Sequence, residues 1–471
     1  MNWESLSIAD KARVKRWQIG MLALALVCEI FLAADWYAFA AVVPFISESL
    51  NLDPAQAGLA QGIFALTYGI GMVVWAPFSR TVSARTLLLI GLAGTGLGMV
   101  LQVFVQNYTQ LLVLRLGIGF FDAAIFLGNM KLIFDWFPQR RRGAIVGMIL
   151  AAYSLAITLD FALGIPLTIA VGWRAFFAVL AIGTLIVAVV NLIAVRAGPA
   201  GIGYTGFRWE DEPPVAHLPV REVFRTKWIA VGGFGIAACT FAIAGTATWV
   251  VPTFIAVQNM PVESAALIGT LMGLSQVVFL VIGGYMADNL GKTFMIKLTA
   301  FLALLVAIMF LSSAIYPLPF SALVLFALLS GIAVLGGGAI FSLMSEKYHD
   351  SLATAAVGYA EVFGILSSFA APWLMGAIIK GTGGFAEAFV AFAIIEALFL
   401  ALLLVLARDR RADWRPSPRN SERRGGRAPI RAVPVQSAGT VGPWAAPSRA
   451  AMKAAPANRP HRPIGRRAAL R

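Results

Sequence analysis

Apolar stretches of about 18 residues or more recur along almost the whole chain up to Leu406, each long enough to cross a hydrocarbon core of roughly 30 Å as a helix. Inside lipid the backbone has no water to bond to, so only helices and closed barrels can span it. A barrel strand alternates in polarity over about ten residues, whereas Val179 to Val195 is apolar throughout except for Gly183, Thr184 and Asn191. A water-soluble fold is excluded by composition. The chain is 59% hydrophobic and 13% charged, against roughly 45–50% and 25% in soluble domains. The expectation is an all-α membrane protein.

The first apolar run follows Lys11, Arg13, Lys15 and Arg16, as in a secretory signal. It continues from about Trp17 to Ile46 and carries Glu29 and Asp35, too long and too polar for a signal core, and is read as a retained span. Cys28 and Cys239 both lie in apolar segments. They support neither a disulfide framework nor a cysteine metal site.

Runs centred near residues 32, 66, 95, 123, 155 and 185 form one group, and runs near 242, 275, 305, 332, 366 and 397 a second. Twelve spans in two six-helix bundles follow. The boundaries are read as an N-terminal segment 1–17, a bundle 18–196, a linker 197–226 containing Glu210-Asp211-Glu212-Pro213-Pro214, a second bundle 227–408 and a tail 409–471. The tail holds fifteen Lys/Arg against Asp409, Asp413 and Glu422, which accounts for +12 of the net +14. Its Pro, Ala and Gly content, with Trp414 and Trp444 its only aromatics, reads as a disordered arm lying on anionic headgroups rather than a nucleic-acid binder.

Lys and Arg in short loops are retained on the cytoplasmic side. One set of loops carries Lys11 to Arg16, Arg80, Arg85, Arg140 to Arg142, the linker, Lys292, Lys347 and the tail, while the other offers only Arg174 and Lys380. Both termini are therefore expected in the cytoplasm, with the protein multi-pass in a cell membrane, the inner membrane if the source is bacterial. The halves also match weakly: Asn51-Leu52 through Leu59 parallels Asn259-Met260 through Leu267 at an offset of 208. Repeated halves with a solute site between them are a common transporter construction.

An ionisable side chain at mid-membrane costs roughly 2.5–3.5 kcal/mol on insertion scales, which makes each one a functional candidate. Glu29 and Asp35 lie in span one, Arg115 and Asp122 in span four, Asp160 in span five and Glu361 in span eleven. Arg115, Asp122 and Asn129 are spaced by seven and share one helix face. That stripe is expected to line the central cavity, with Arg115 paired to Asp35. Three roles stay open: Asp122 with Glu29 or Asp35 binds a coupling proton, Arg115 and one acid form a static pair, or the group touches solute. Trp36, Tyr37, Tyr153, Trp249 and Tyr359 are candidate cavity aromatics. Pro44, Pro166, Pro252 and Pro372, with Gly331 and Gly336-Gly337-Gly338, are candidate bending points.

Gly284-Tyr285-Met286-Ala287-Asp288-Asn289-Leu290-Gly291-Lys292, Arg115-Leu116-Gly117-Ile118-Gly119, Phe137-Pro138 to Arg142-Gly143-Ala144 and Gly172-Trp173-Arg174 resemble landmarks of the major facilitator superfamily over about residues 18 to 408. The resemblance implies two pseudo-symmetric six-helix bundles rocking about a central site, with Asp288, Gly284, Gly291 and Lys292 forming a conformational gate. In the first-half counterpart Arg80 stands where the pattern has aspartate, so the gate is expected to be asymmetric. Asp35, Pro44 and the Gly358, Gly364, Pro372, Gly376 series look like the solute:cation symporters of the organic-anion branch. The segment Leu163 to Leu167 lacks the Gly-Pro-x-x-Gly-Gly of drug:proton antiporters.

No His-Glu-x-x-His or phosphate loop is present, and His217, His349 and His461 fall in loops or the tail, so neither an enzyme nor a bound cofactor is expected. The reading is a monomeric secondary transporter taking up a small organic solute by proton-coupled symport, with the solute, protons and the bilayer as partners and no nucleic acid. Efflux by the same machinery, or a transporter-like sensor or assembly factor, is the alternative.

Overall fold

The computed structural model describes residues 3–79, 81–209, 220–348 and 350–408. Arg80, the acidic linker run 210–214, His217, His349, the tail, and the side chains of Asp288 and Arg140 lie outside the described residues. Twelve helices among the described residues are long and apolar enough to span a membrane. They are α1 (Ile8–Ala41), α2 (Pro54–Phe78), α3 (Ala84–Gln102), α4 (Tyr108–Trp136), α5 (Ile145–Val171) and α6 (Trp173–Ala194), then α7 (Trp228–Val257), α8 (Val262–Ala287), α9 (Lys292–Ile315), α10 (Phe320–Met344), α11 (Ala355–Thr382) and α12 (Ala386–Leu406).

Helix starts follow local chemistry. Ser7, Ser83 and Asn107 accept from the backbone three residues on, and Asp53 makes a reciprocal capping box with Gln56, satisfying N–H groups a helix cannot bond itself. After α1 the short helix Val43–Leu50 ends on Asn51 at φ 51°, and after α7 the chain turns on Asn259 at φ 49°. Left-handed backbone is uncommon outside glycine, with asparagine favoured. These two residues stand 208 positions apart, so the weak internal repeat marks the same turn in both halves.

Two spans are broken. A π turn over Asp160–Gly164 interrupts α5 just before Pro166, whose missing N–H and ring force the register to slip. In α10 the helix stops at Ser330, runs as a 3-10 turn over Gly331–Val334 and resumes at Gly337. Ser275 of α8 fills that break: its Oγ donates to the Leu328 carbonyl at 2.6 Å and accepts from the Gly331 N–H at 2.9 Å. A Cβ on Gly331 would sit 2.3 Å from the Ser275 carbonyl, so glycine is required for that approach.

The halves meet chiefly where α2 packs on α11 and α5 on α8. Contact is tightest at the end opposite the termini. Cβ atoms at Gly58, Gly62 and Gly376 would lie 2.2, 2.4 and 2.2 Å from the carbonyls of Pro372, Phe369 and Pro54. Gly269 and Gly273 of α8 likewise seat Phe161 and Thr158 of α5. Lys380 bonds Asp53 across this seam at 3.0 Å. Burial alone would raise the Asp53 carboxyl, but the Gln56 N–H and Lys380 outweigh it and hold Asp53 below its ordinary value. The pair is half in water and contributes only about 0.2–1 kcal/mol; backbone packing closes this end. Towards the end bearing the termini, Val73 of α2 and Tyr359 and Val362 of α11 are exposed. That terminal end is tied by bonds from Tyr204 to Asp10 and from Lys227 to the Arg408 carbonyl.

Candidate functional site

The ionisable residues of the first half converge inside their own bundle. Glu29, Asp35, Arg115, Asp122, Asn129 and Asp160 are each at most 2% exposed. The α4 stripe of Arg115, Asp122 and Asn129 is fully buried, so it faces the bundle interior and does not line an open cavity. The expected Arg115–Asp35 ion pair is not made. Arg115 instead donates from Nε to the Ala60 carbonyl at 2.7 Å, and from Nη2 to Gln61 Oε1 at 3.1 Å and the Trp36 carbonyl at 3.4 Å. Its guanidinium also lies 4.6 and 4.9 Å from the Phe39 and Phe64 rings, contacts that stabilise a desolvated cation.

Three of the carboxyls, those of Glu29, Asp35 and Asp122, take a polar partner from a neighbouring helix. Thr184 of α6 donates to Asp35 Oδ2 at 3.3 Å, and Thr95 of α3 donates to Asp122 Oδ1 at 2.5 Å. Asn129 donates to Glu29 Oε2 at 3.1 Å and to the Ala25 carbonyl at 3.2 Å. Asp122 Oδ2, Asp160 Oδ2 and Arg115 Nη1 are buried without a hydrogen-bond partner among the described residues. Glu29, Asp35 and Arg115 all lie within electrostatic reach of Asp122.

Beside this cluster stands a set of rings. Trp36 stacks on Tyr37 (6.1 Å) and lies 5.0 Å from Phe64, 5.0 Å from Tyr68 and 6.3 Å from Tyr153. The Tyr153 hydroxyl donates to that of Tyr37 at 3.1 Å. Tyr68 is within electrostatic reach of Glu29 and Asp122 in its own half and of Glu361 in the other. Tyr68 therefore stands between the acid cluster buried in the first bundle and the half-buried Glu361 of the second. Trp249 is not part of the aromatic set: its ring is 2% exposed and its Nε1 bonds the Pro372 carbonyl at 3.0 Å, which braces α7 on α11. Tyr359 is 39% exposed and packs edge-on against Phe224, ring centres 4.8 Å apart, towards the terminal end.

At the loop between α8 and α9, Gly291 has φ 88°, a conformation that favours glycine. Gly284 is exposed with open space around it. Lys292 forms an ion pair with Glu346 beyond α10, joining these helices within the second half.

Sequence reasoning missed Gln61, Tyr68 and Thr95, and also Glu396 of α12. Glu396 is fully buried, with neither carboxyl oxygen bonded among the described residues, and lies within reach of Cys239. Gln61 and Tyr68 stand seven apart on α2, a polar stripe in an apolar run that could have been read.

Arg115→Lys is expected to lower folding stability by about 2 kcal/mol or more, because an ammonium cannot serve three acceptors on two helices and two ring faces together. Thermal unfolding in detergent checks this; an unchanged midpoint would mean the guanidinium network is not structural.

Twelve spans in two bundles, with charge buried inside the first of them, define a membrane carrier. The Major Facilitator Superfamily family model matches residues 25–372, and the chain belongs to that superfamily of transporters. It is 23% identical over 422 residues to a probable L-galactonate transporter of Escherichia coli (strain K12), covering 85% of this chain and 92% of that one. It is 22% identical over 365 residues to a hexuronate transporter of Bacillus subtilis (strain 168), covering 76% and 86%. Among solved structures it matches a bacterial homolog of the human lysosomal transporter Spinster in an inward-facing, unoccupied conformation, with a TM-score of 0.71, 16% identity, and coverage of 85% of this chain and 99% of that one.

Proposed function

We propose that this transporter takes up a small hydroxylated organic acid together with protons. The observation that carries the reading is the first-half cluster, where four buried carboxyl groups, Glu29, Asp35, Asp122 and Asp160, stand with a single buried guanidinium, Arg115. Were all ionised, the cluster would hold a net charge of −3 in a region where each unpaired charge costs several kcal/mol. Such a site holds protons, and releasing one is coupled to any change in its surroundings. The substrate class rests on relatives named for L-galactonate and hexuronate transport.

The excess of Lys and Arg in the loops of the terminal end supports a cytoplasmic position for that end, and in this reading the described conformer is inward-open. In this reading solute held at the rings of Trp36, Tyr37, Tyr68 and Tyr153 leaves past Glu361 and Tyr359 through the cytoplasmic mouth. Asp288, Gly284, Gly291 and Lys292, with Arg80 as the divergent counterpart, form the cytoplasmic gate of a monomer. Alternating access then needs the tight α2–α11 seam to open as the cytoplasmic side closes.

Uptake of labelled L-galactonate, D-glucuronate, an uncharged hexose and a purine into proteoliposomes under an acid-outside gradient tests the substrate class. The two sugar acids are expected to accumulate and the neutral solutes not. Uptake of the hexose or purine alone would remove the organic-acid reading.

A further inference from the structure

A groove of about 550 Å³ runs along the outer surface of the first bundle between α1 and α6. Arg16, Trp17, Gly20, Val27, Val187 and Val190 line it, and Ile186, Val189 and Ile193 of α6 beside it are 55–66% exposed, as expected of a helix face turned to lipid. The groove exists because α1 lacks a side chain at its middle: a Cβ on Gly20 would meet nothing within 4 Å. From Arg16 to Val27 the slot extends about 16 Å along the helix.

Its terminal end is chemically different. Arg16 stands one turn from Gly20, hence above the slot on the same helix face. Trp17 stacks on Trp136 with centroids 6.2 Å apart, and the Arg196 guanidinium lies 6.0 Å from the Trp17 ring. Two guanidinium groups thus flank an indole where the apolar slot ends, the arrangement expected at a membrane–water interface.

We infer that this groove is a binding site for an anionic phospholipid, with one acyl chain in the Gly20 slot and its phosphate at Arg16. An apolar channel closed by cations fits a molecule that joins a long hydrocarbon tail to a negative head. Inorganic phosphate has no tail to fill the slot, and a zwitterionic lipid carries no net charge to offset Arg16 and Arg196. The site is built within one bundle and holds for either direction of transport.

The test uses the full chain, delipidated in detergent and titrated with palmitoyl-oleoyl phosphatidylglycerol, the matching phosphatidylcholine, or inorganic phosphate, with the thermal unfolding midpoint as readout. Phosphatidylglycerol alone is expected to raise the midpoint. Arg16→Gln should weaken the half-saturating concentration about fivefold, the effect of one basic group near a headgroup, and Gly20→Leu, which fills the slot without a clash, at least as much. Gly117→Leu, at an exposed position with equally open space, should leave it unchanged. Equal stabilisation by phosphatidylcholine, reproduction of the effect by phosphate, or a Gly20→Leu protein that responds like the parent would overturn the assignment. Because all variants keep the basic tail, adsorption there cannot imitate the expected pattern.

Discussion

Gly58→Leu and Gly62→Leu are expected to prop open the end opposite the termini and abolish net transport. The added side chains would meet backbone rather than movable side chains, since even a Cβ falls 2.2 and 2.4 Å from the carbonyls of Pro372 and Phe369. Overpacking of this kind costs about 1–3 kcal/mol or more. Applied to an equilibrium between two orientations, that is a shift of about 5- to 150-fold towards the state in which α2 and α11 have parted. The shift is read with a single cysteine at Ala371, which is fully buried at the seam, in a background with Cys28 and Cys239 replaced. Its labelling by an impermeant thiol reagent should accelerate in both variants, while labelling of a cysteine at Tyr359 slows. Unchanged rates at both sites would show that the glycine seam does not close this end.

The second large effect is expected from Asp122→Asn. The amide has the shape of the acid and can keep a bond to Thr95, but it cannot take up or release a proton. For one coupled proton, a gradient of one pH unit drives about tenfold accumulation. The variant should lose that accumulation while solute exchange at equal concentrations continues. Glu29→Gln and Asp35→Asn, whose partners are Asn129 and Thr184, identify which carboxyl shares the load. If instead the cluster only holds the bundle together, Asp122→Asn would depress exchange and uphill uptake alike and lower the unfolding midpoint. Uphill uptake at the parent level would remove Asp122 from coupling altogether.

Much of the fold was legible because the bilayer imposes a strong rule on sequence. The count of six plus six spans follows from run lengths alone, and the repeat at Asn51 and Asn259 turned out to mark matching left-handed turns. Even the exceptions were informative. Gly183, Thr184 and Asn191 are the non-apolar residues of the sixth run, and all three meet α1, at Phe31, Asp35 and Cys28. A polar residue in an apolar helix marks the face that turns inward, because lipid offers it no partner.

The site was less legible, for a geometric reason. Spacing by seven puts Arg115, Asp122 and Asn129 on one face, but periodicity does not say how that face is rotated against its neighbours. Opposite charge made Asp35 the natural partner of Arg115, yet backbone carbonyls and Gln61 satisfy the guanidinium. Carbonyl acceptors leave no trace in side-chain patterns. Aromatics were harder still, since Trp36, Tyr37 and Tyr153 cluster while Trp249 serves as a brace between α7 and α11. Glu396 escaped notice because one acid in a strongly apolar run leaves the run's average almost unchanged.

The most direct test of the coupling account is to count protons. Proteoliposomes loaded with a pH-sensitive dye and given L-galactonate outside, with no gradient imposed, should acidify internally in proportion to the solute taken up, and Asp122→Asn vesicles should take up solute without acidifying. Solute entry in the parent protein with no change in internal pH would contradict proton coupling, whatever the substrate proves to be.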